Sequence, residues 1–155
     1  MSIYDYNQLC LFLSKQFWKD ADIETRRLML KIAGVEGRRN LLLTQSDIQQ
    51  FPCTELRKID QFWVKASKGK FGFSVINRIY KSVDCDYSNL ADYAGWRNGE
   101  DWINYNQVNF TADAPVGHLP LTWLVPTTFS MYWSSRFASA GWKLLLNRVE
   151  ECCRL

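Results

Sequence analysis

The chain contains few side chains that could carry out covalent or metal chemistry. Its single histidine, His118, lies between Gly117 and the Leu119-Pro120 pair. A catalytic triad or a histidine-rich metal site needs several such groups, and the sequence has neither a Gly-rich phosphate loop nor a Cys-x-x-Cys spacing. We therefore predict no catalytic residue and no metal site, and we interpret His118 as a turn residue satisfied by backbone hydrogen bonds.

One carboxylate, Asp60, lies in an apolar stretch with helical spacing. A buried acid at such a position can have a perturbed pKa and take part in catalysis. The sequence favours the alternative that Asp60 is a structural hydrogen-bond acceptor, either for Arg57 or for the end of a neighbouring helix. No catalytic role is assigned to it.

The cysteines predict reduced thiols rather than a disulfide framework. They are odd in number, at positions 10, 53, 85, 152 and 153. The sequence begins without the basic flank and apolar run of a secretory signal, and without the composition of a transit peptide. These features favour a cytoplasmic protein, or one encoded and used inside a plastid. The adjacent Cys152 and Cys153 are interpreted as terminal bystanders.

Composition predicts one globular domain over residues 1–155, because this length supports one full hydrophobic core. The net charge is +3 and the basic residues are scattered, which argues against a nucleic-acid partner. No apolar run reaches membrane-spanning length. Aromatic residues make up 15% of the chain, and seven of them are tryptophans. Some of these rings could line a groove, although a ring-rich core would account for most of them.

The sequence predicts that most of these side chains are carried by helices. Apolar residues recur at helical spacing in five stretches, which predicts a mainly helical fold. The stretches lie at about 6–17, 19–33, 56–66, 75–83 and 142–149. Thr44 and Asp47 predict a capping box on a further short helix, and Ser74 is predicted to cap the fourth stretch.

The remaining segments are less regular. Asn98-Gly99 predicts a tight turn, and residues 102–105 with 108–110 are candidates for a small extended element. Residues 121–137 are apolar and almost uncharged. This region is interpreted as either a buried crossover or a mobile flap over a ligand.

Five aromatic-rich motifs together resemble the genomes-uncoupled-four family, the porphyrin-binding accessory proteins of magnesium chelatase in chlorophyll synthesis. The motifs are Phe51-Pro52-Cys53, Ile59-Asp60-Gln61-Phe62-Trp63, Lys70-Phe71-Gly72-Phe73-Ser74-Val75, Gly95-Trp96-Arg97 and Ala114-Pro115-Val116-Gly117-His118-Leu119-Pro120. The resemblance implies an all-α domain shaped like a cupped hand with an apolar palm. It also implies a non-catalytic regulator that binds protoporphyrin IX or magnesium-protoporphyrin IX.

The resemblance further implies a partner and a location. The partner would be the large subunit of magnesium chelatase. The location would be the cytoplasm of a cyanobacterium or the plastid stroma, with peripheral membrane association possible. Two alternatives stay open, namely a divergent paralogue that binds a bilin and a protein-interaction module that has lost pigment binding. A groove of rings suits a flat macrocycle, and it would also accept a partner helix.

Matching motif positions supply the predicted palm contacts. They are Phe51, Phe71, Phe73, Trp102, Tyr105, Val108 and Phe110. For the rings on either side of Gly72, a place in the core is the favoured alternative, and Tyr105 is the strongest single candidate.

The sequence departs from the family pattern after the Gly-His-Leu-Pro run. Chelatase-active members carry a pair of arginines shortly after this run, whereas residues 121–126 of this chain contain none. Arg136 and Arg148 come later in the chain. They are predicted either to pair with the propionates of a tetrapyrrole or to serve as helix-end charges.

Overall fold

The structure is a computed structural model that describes residues 3–36, 43–103, 105–121 and 135–153, with the side chains of the last segment described from residue 143. Helices dominate these ranges, as predicted. The helices are α1 (Asn7–Ser14), α2 (Trp18–Ile32), α3 (Gln45–Gln49), α4 (Cys53–Ala66), α5 (Phe73–Ser82), α6 (Tyr87–Ala94) and α7 (Ser135–Cys153). They share one hydrophobic core, which confirms the all-α domain.

The first helical stretch is shorter than its apolar pattern predicts. α1 ends at Ser14, and Gln16 adopts a positive φ of 60° before α2 begins at Trp18. The turn leaves Phe17 outside both helices and half exposed. It also buries Trp18 in the core, where it meets residues from α4.

α4 lies against α1 and α7, and Trp63 is its largest fully buried residue. The indole of Trp63 stacks on Trp18 at a centroid distance of 6.1 Å. Its Nε1 donates to Thr25 Oγ1 at 2.8 Å, so the one polar atom of the ring is satisfied inside the core.

The predicted capping box of α3 is present. Thr44 accepts a hydrogen bond from the backbone N–H of Asp47, whose carboxylate in turn accepts from the backbone N–H of Thr44. These two bonds satisfy donors that a helix start leaves without partners. α3 then ends before Pro52, as the sequence predicts.

The start of α5 differs from the prediction. Ser74 lies inside the first turn rather than at the cap, and the backbone N–H of Ser74 donates to Asp60 Oδ1 at 2.8 Å. The cap position is Gly72, with a φ of 133°, where a Cβ atom would approach Val64 Cγ2 to 2.7 Å. A carboxylate from α4 therefore caps α5, which confirms that Asp60 accepts from a neighbouring helix end.

Burial raises the pKa of Asp60, and the hydrogen bonds from the start of α5 oppose that effect. The alternative donor, Arg57, contacts a different acceptor. Its Nη1 donates to the carbonyl oxygen of Cys152 at 2.9 Å, which joins α4 to the end of α7.

A short hairpin follows α6. Strand β1 (Arg97–Asn98) pairs antiparallel with β2 (Asp101–Trp102), which confirms the tight turn at Asn98-Gly99. The predicted extended element is only partly correct. Trp102 pairs with Arg97 rather than with residues 108–110, and Tyr105–Gln107 form a single turn of 3-10 helix.

The prediction that all cysteines are reduced is wrong, and so is the interpretation of Cys152 as a bystander. Cys53 at the start of α4 forms a disulfide with Cys152 near the end of α7, across a sequence separation of 99 residues and a Cα–Cα distance of 4.9 Å. Cys10, Cys85 and Cys153 are free thiols. Sequence spacing missed the bond because only the packing of α7 on α4 brings these two positions together.

Residues 122–134 lie outside the described residues, so the alternative readings of 121–137 remain predictions. Within the ranges given above, none of the helices is both long and apolar enough to cross a membrane.

Candidate functional site

The predicted palm contacts separate into two groups, and the first is in the core. Phe51, Phe71 and Phe73 are each at most 2% exposed. Phe71 packs edge-on against Trp18 at 5.3 Å and against Trp63 at 6.4 Å. These rings have no exposed surface that a ligand could contact. The favoured alternative, that the rings flanking Gly72 lie in the core, agrees with their burial.

The second group occupies one stretch of chain, which we call the palm segment: Trp102, Tyr105, Val108 and Phe110. Trp102 and Phe110 are partly exposed, whereas Tyr105 and Val108 are 6% and 8% exposed. Phe110 packs on Tyr105 with a centroid distance of 5.4 Å. The palm segment therefore carries partly open rings supported by a buried layer beneath them.

Trp102 forms a separate stack at the edge of the hairpin. Its ring lies parallel to that of Tyr87 on α6, with centroids 5.3 Å apart and planes inclined by 12°. The guanidinium of Arg97 lies 5.7 Å from the centroid of the Trp102 ring. Arg97 also donates two hydrogen bonds to the Asp92 carboxylate, each 2.8 Å long. The indole is thus in contact with both a flat ring and a cation.

Tyr105 is fixed from the side of α2. Its hydroxyl donates to Asp22 Oδ2 at 3.2 Å, and Asp22 Oδ1 accepts from the backbone N–H of Leu121 at 2.7 Å. The ammonium of Lys19, one turn earlier on α2, lies 5.9 Å from the centroid of the Tyr105 ring. The sequence predictions did not include Lys19 or Asp22 among the palm contacts, although their spacing of three residues places both on one face of a helix.

His118 holds the far end of the palm segment in place. Its Nε2 accepts from the backbone N–H of Asn109 at 3.0 Å, so its Nδ1 carries the proton and donates to the carbonyl of Ala94 at 2.7 Å. Burial lowers the pKa of His118, and the bond to Ala94 partly opposes this. The ring is a neutral structural link, as the sequence predicts.

Gly95 lets the Ala114–Pro120 run approach α6. It ends α6 with a φ of 79°, and a Cβ atom there would lie 2.8 Å from Pro115 Cγ and 3.3 Å from His118 Nδ1. The indole N–H of Trp96 donates to the carbonyl of His118 at 2.9 Å. Two of the family-like motifs therefore pack directly on each other to support the palm segment.

One of the two predicted propionate partners, Arg148, does not join this group. The guanidinium of Arg148 donates to the carbonyl of Phe51 at 2.8 Å and to the Glu151 carboxylate at 2.8 Å, where α7 meets the start of α4. The side chain of Arg136 lies outside the described residues. Two described cations lie over rings of the palm segment, Lys19 over Tyr105 and Arg97 over Trp102.

A separate apolar groove lies between α1 and α4. Its volume is about 440 Å³, and its walls are Cys10, Leu13, Ser14, Phe62, Lys65 and Ala66. Phe62 packs on Tyr6 with a centroid distance of 5.4 Å, matching the spacing of the Phe110–Tyr105 pair. None of the predicted palm contacts lines this groove.

Comparisons with known proteins identify the family of the chain. A sequence model of the GUN4-like family matches residues 1–135. The Ycf53-like protein of Synechocystis sp. is 34% identical over 119 residues, covering 76% of this chain and 51% of that protein. The chloroplastic tetrapyrrole-binding protein of Arabidopsis thaliana is 32% identical over 120 residues, covering 71% of this chain and 45% of that protein. The chain spans about half the length of these relatives.

The fold has solved counterparts. The ligand-free structure of Arabidopsis thaliana GUN4 superposes with a TM-score of 0.73 at 25% identity, covering 96% of this chain and 93% of that one. GUN4 from Chlamydomonas reinhardtii has the same TM-score at 24% identity and supports the fold alone. The motifs, the fold and a family match over most of the sequence point the same way, and the chain belongs to the GUN4-like family.

Proposed function

We propose that this chain is a non-catalytic regulatory protein that binds a tetrapyrrole, either protoporphyrin IX or magnesium-protoporphyrin IX, at the palm segment. The supporting observation is the combination of partly exposed rings at Trp102 and Phe110 with cations at Lys19 and Arg97. Membership of the GUN4-like family and a relative named as a tetrapyrrole-binding protein also support it.

The chemistry of the palm segment fits such a ligand. A tetrapyrrole has a flat conjugated face and carboxylates at its edge, so flat apolar side chains cover the face and cations pair with the carboxylates. Lys19 is exposed, and the Arg97 side chain keeps 22% of its surface open beside Asp92. We therefore propose Lys19 and Arg97 as propionate partners, and Arg136 stays a prediction of the sequence.

A titration of the full chain tests this function. Protoporphyrin IX, its magnesium complex and biliverdin are added separately, and Soret absorbance and tryptophan fluorescence are recorded. We expect saturable quenching and a Soret shift with at least one porphyrin at micromolar concentration. Saturation by biliverdin alone would identify a bilin-binding paralogue. Flat curves for all three pigments would reject pigment binding and favour a protein-interaction module.

A matched pair of variants locates the site. Phe110 and Phe62 are both partly buried phenylalanines that pack on a tyrosine at 5.4 Å, the first in the palm segment and the second in the α1–α4 groove. We expect Phe110→Ala to weaken porphyrin binding by roughly tenfold, since a stacking ring contributes about 1–1.5 kcal/mol. Phe62→Ala should bind as the wild type does. The reverse result would move the pigment site to the groove.

We further propose that the pigment-bound protein regulates magnesium chelatase through its large subunit, in the cytoplasm of a cyanobacterium or in the plastid stroma. Co-sedimentation of the purified chain with that subunit, with and without protoporphyrin, tests the partner. Binding that strengthens with pigment and falls in Phe110→Ala would support regulation by pigment. Equal recovery in every sample would favour a pigment-independent interaction module.

A further inference from the structure

Asp22 joins three separate parts of the chain beneath the palm segment. It lies on α2 and is 0% exposed. Its carboxylate accepts from the hydroxyl of Tyr105, 83 residues away, and from the backbone N–H of Leu121, 99 residues away.

A buried carboxylate is costly unless charge and hydrogen bonds compensate it. The two donors supply hydrogen bonds to both oxygens. Arg26 lies one turn later on the same helix and is 5% exposed. Burial lowers the pKa of Arg26, and attraction to Asp22 opposes that effect, so the two charges stabilise each other. Asp22 is therefore well placed to hold its two donors in fixed directions.

The Tyr105 ring is consequently held at several points. Asp22 fixes its hydroxyl, Phe110 packs at 5.4 Å, and the Lys19 ammonium lies 5.9 Å from its centroid. A ring whose orientation is set before binding loses little conformational freedom when a flat ligand arrives. Phe110 rests on this ring, so the orientation of Tyr105 also sets that of the more exposed neighbour.

We propose that Asp22 is a positioning residue for tetrapyrrole binding, acting through the hydroxyl of Tyr105 to orient the Tyr105–Phe110 pair. The inference rests on the proposed function and adds a residue that does not itself contact the pigment. It separates the role of the Tyr105 hydroxyl from that of the ring face.

The first experiment compares two buried carboxylates. Asp22 and Asp60 are both helical, both at most 5% exposed, and each accepts from a backbone N–H of another segment. Asp22→Ala and Asp60→Ala are both expected to lower the melting temperature. Only Asp22→Ala should weaken protoporphyrin binding, by roughly tenfold, the factor that corresponds to one hydrogen bond. Equal affinities in the two variants would overturn the inference.

The second experiment uses a change that leaves the ring in place. Tyr105→Phe removes only the hydroxyl, and it remains informative if Asp22→Ala fails to fold. We expect weaker protoporphyrin binding and a changed Soret maximum in the bound state, because the ring is no longer fixed from α2. The double variant should bind no more weakly than Asp22→Ala alone, since both changes break the same link. Wild-type affinity in Tyr105→Phe, or additive losses in the double variant, would overturn the role of Asp22.

These outcomes keep the two proposals apart. A wild-type chain that binds none of the pigments overturns the proposed function, and this inference falls with it. If the wild-type chain binds protoporphyrin, and Tyr105→Phe and Asp22→Ala bind it equally tightly, only the positioning role is overturned.

Discussion

Two aromatic groups in this domain look alike in sequence and differ in structure. The core group, Trp18, Trp63 and Phe71, is at most 4% exposed and packs ring against ring around α4. In the palm group, Trp102 and Phe110 are partly exposed, and Phe110 packs on the buried ring of Tyr105. The exposure of Trp102 and Phe110 distinguishes the group that could meet a ligand from the buried group that stabilises the fold, and the family-like motifs alone do not reveal this difference.

The largest effect should come from exchanging an indole in each group for alanine. Trp63→Ala removes a fully buried ring and its bond to Thr25, so the free energy of unfolding should fall by about 3–5 kcal/mol. Trp102→Ala should lower it by about 1 kcal/mol, since that ring is only partly buried. Urea denaturation gives both values. Similar losses in the two variants would contradict the division into core and palm.

The disulfide should affect the stability of the fold and not the affinity for pigment. Reduction of Cys53–Cys152 is expected to lower the free energy of unfolding by about 2–4 kcal/mol, because it releases a long loop in the unfolded chain. Protoporphyrin affinity should change little. Cys53→Ser should reproduce the effect of reductant, with Cys85→Ser as the control, because Cys85 is an exposed free thiol. A melting temperature that is insensitive to reductant would argue against the bond.

Arg148 provides a case in which a predicted ligand contact should affect stability and not pigment binding. Its guanidinium donates to the carbonyl of Phe51 and to Glu151, so Arg148→Ala should reduce stability by roughly 1–2 kcal/mol. Pigment affinity should stay within twofold of the wild type. A loss of affinity without a loss of stability would restore Arg148 as a propionate partner.

The smallest effect concerns pH. Burial lowers the pKa of His118 from its ordinary value of 6.5, so the unfolded chain binds a proton more readily than the folded one. Stability from the neutral ring is therefore complete above about pH 6.5 and is lost as the pH falls below it. Thermal melts between pH 5 and 8 should show a shallower slope in His118→Gln than in the wild type, and parallel slopes would contradict the assignment.

Much of the fold could be predicted from sequence because its signals are local. The helical stretches, the capping box at Thr44 and the turn at Asn98-Gly99 each depend on residues a few positions apart. The roles of His118 and Asp60 were also predictable, because a lone polar group in an apolar setting is usually satisfied by backbone donors or acceptors.

The features that sequence missed depend on long-range packing. Asp60 replaces Ser74 as the cap of α5 because α4 delivers a carboxylate to that helix start. Cys53 and Cys152 meet only after α7 packs on α4. The burial of Phe51 and the contact of Asp22 with Tyr105 are likewise set by where helices cross. The candidate site was thus predicted as a set of motifs, and its division into core and palm came from the structure.

The Cys53–Cys152 bond also divides the chain topologically. It closes a covalent ring that contains α4 through α7 and the whole palm segment. The helices α1, α2 and α3 lie in the N-terminal segment that precedes the ring. The contact between Asp22 and Tyr105 therefore connects this N-terminal segment to the ring. A single backbone cut anywhere between the two cysteines leaves both fragments covalently linked, so the fragments separate only after a reductant opens the disulfide.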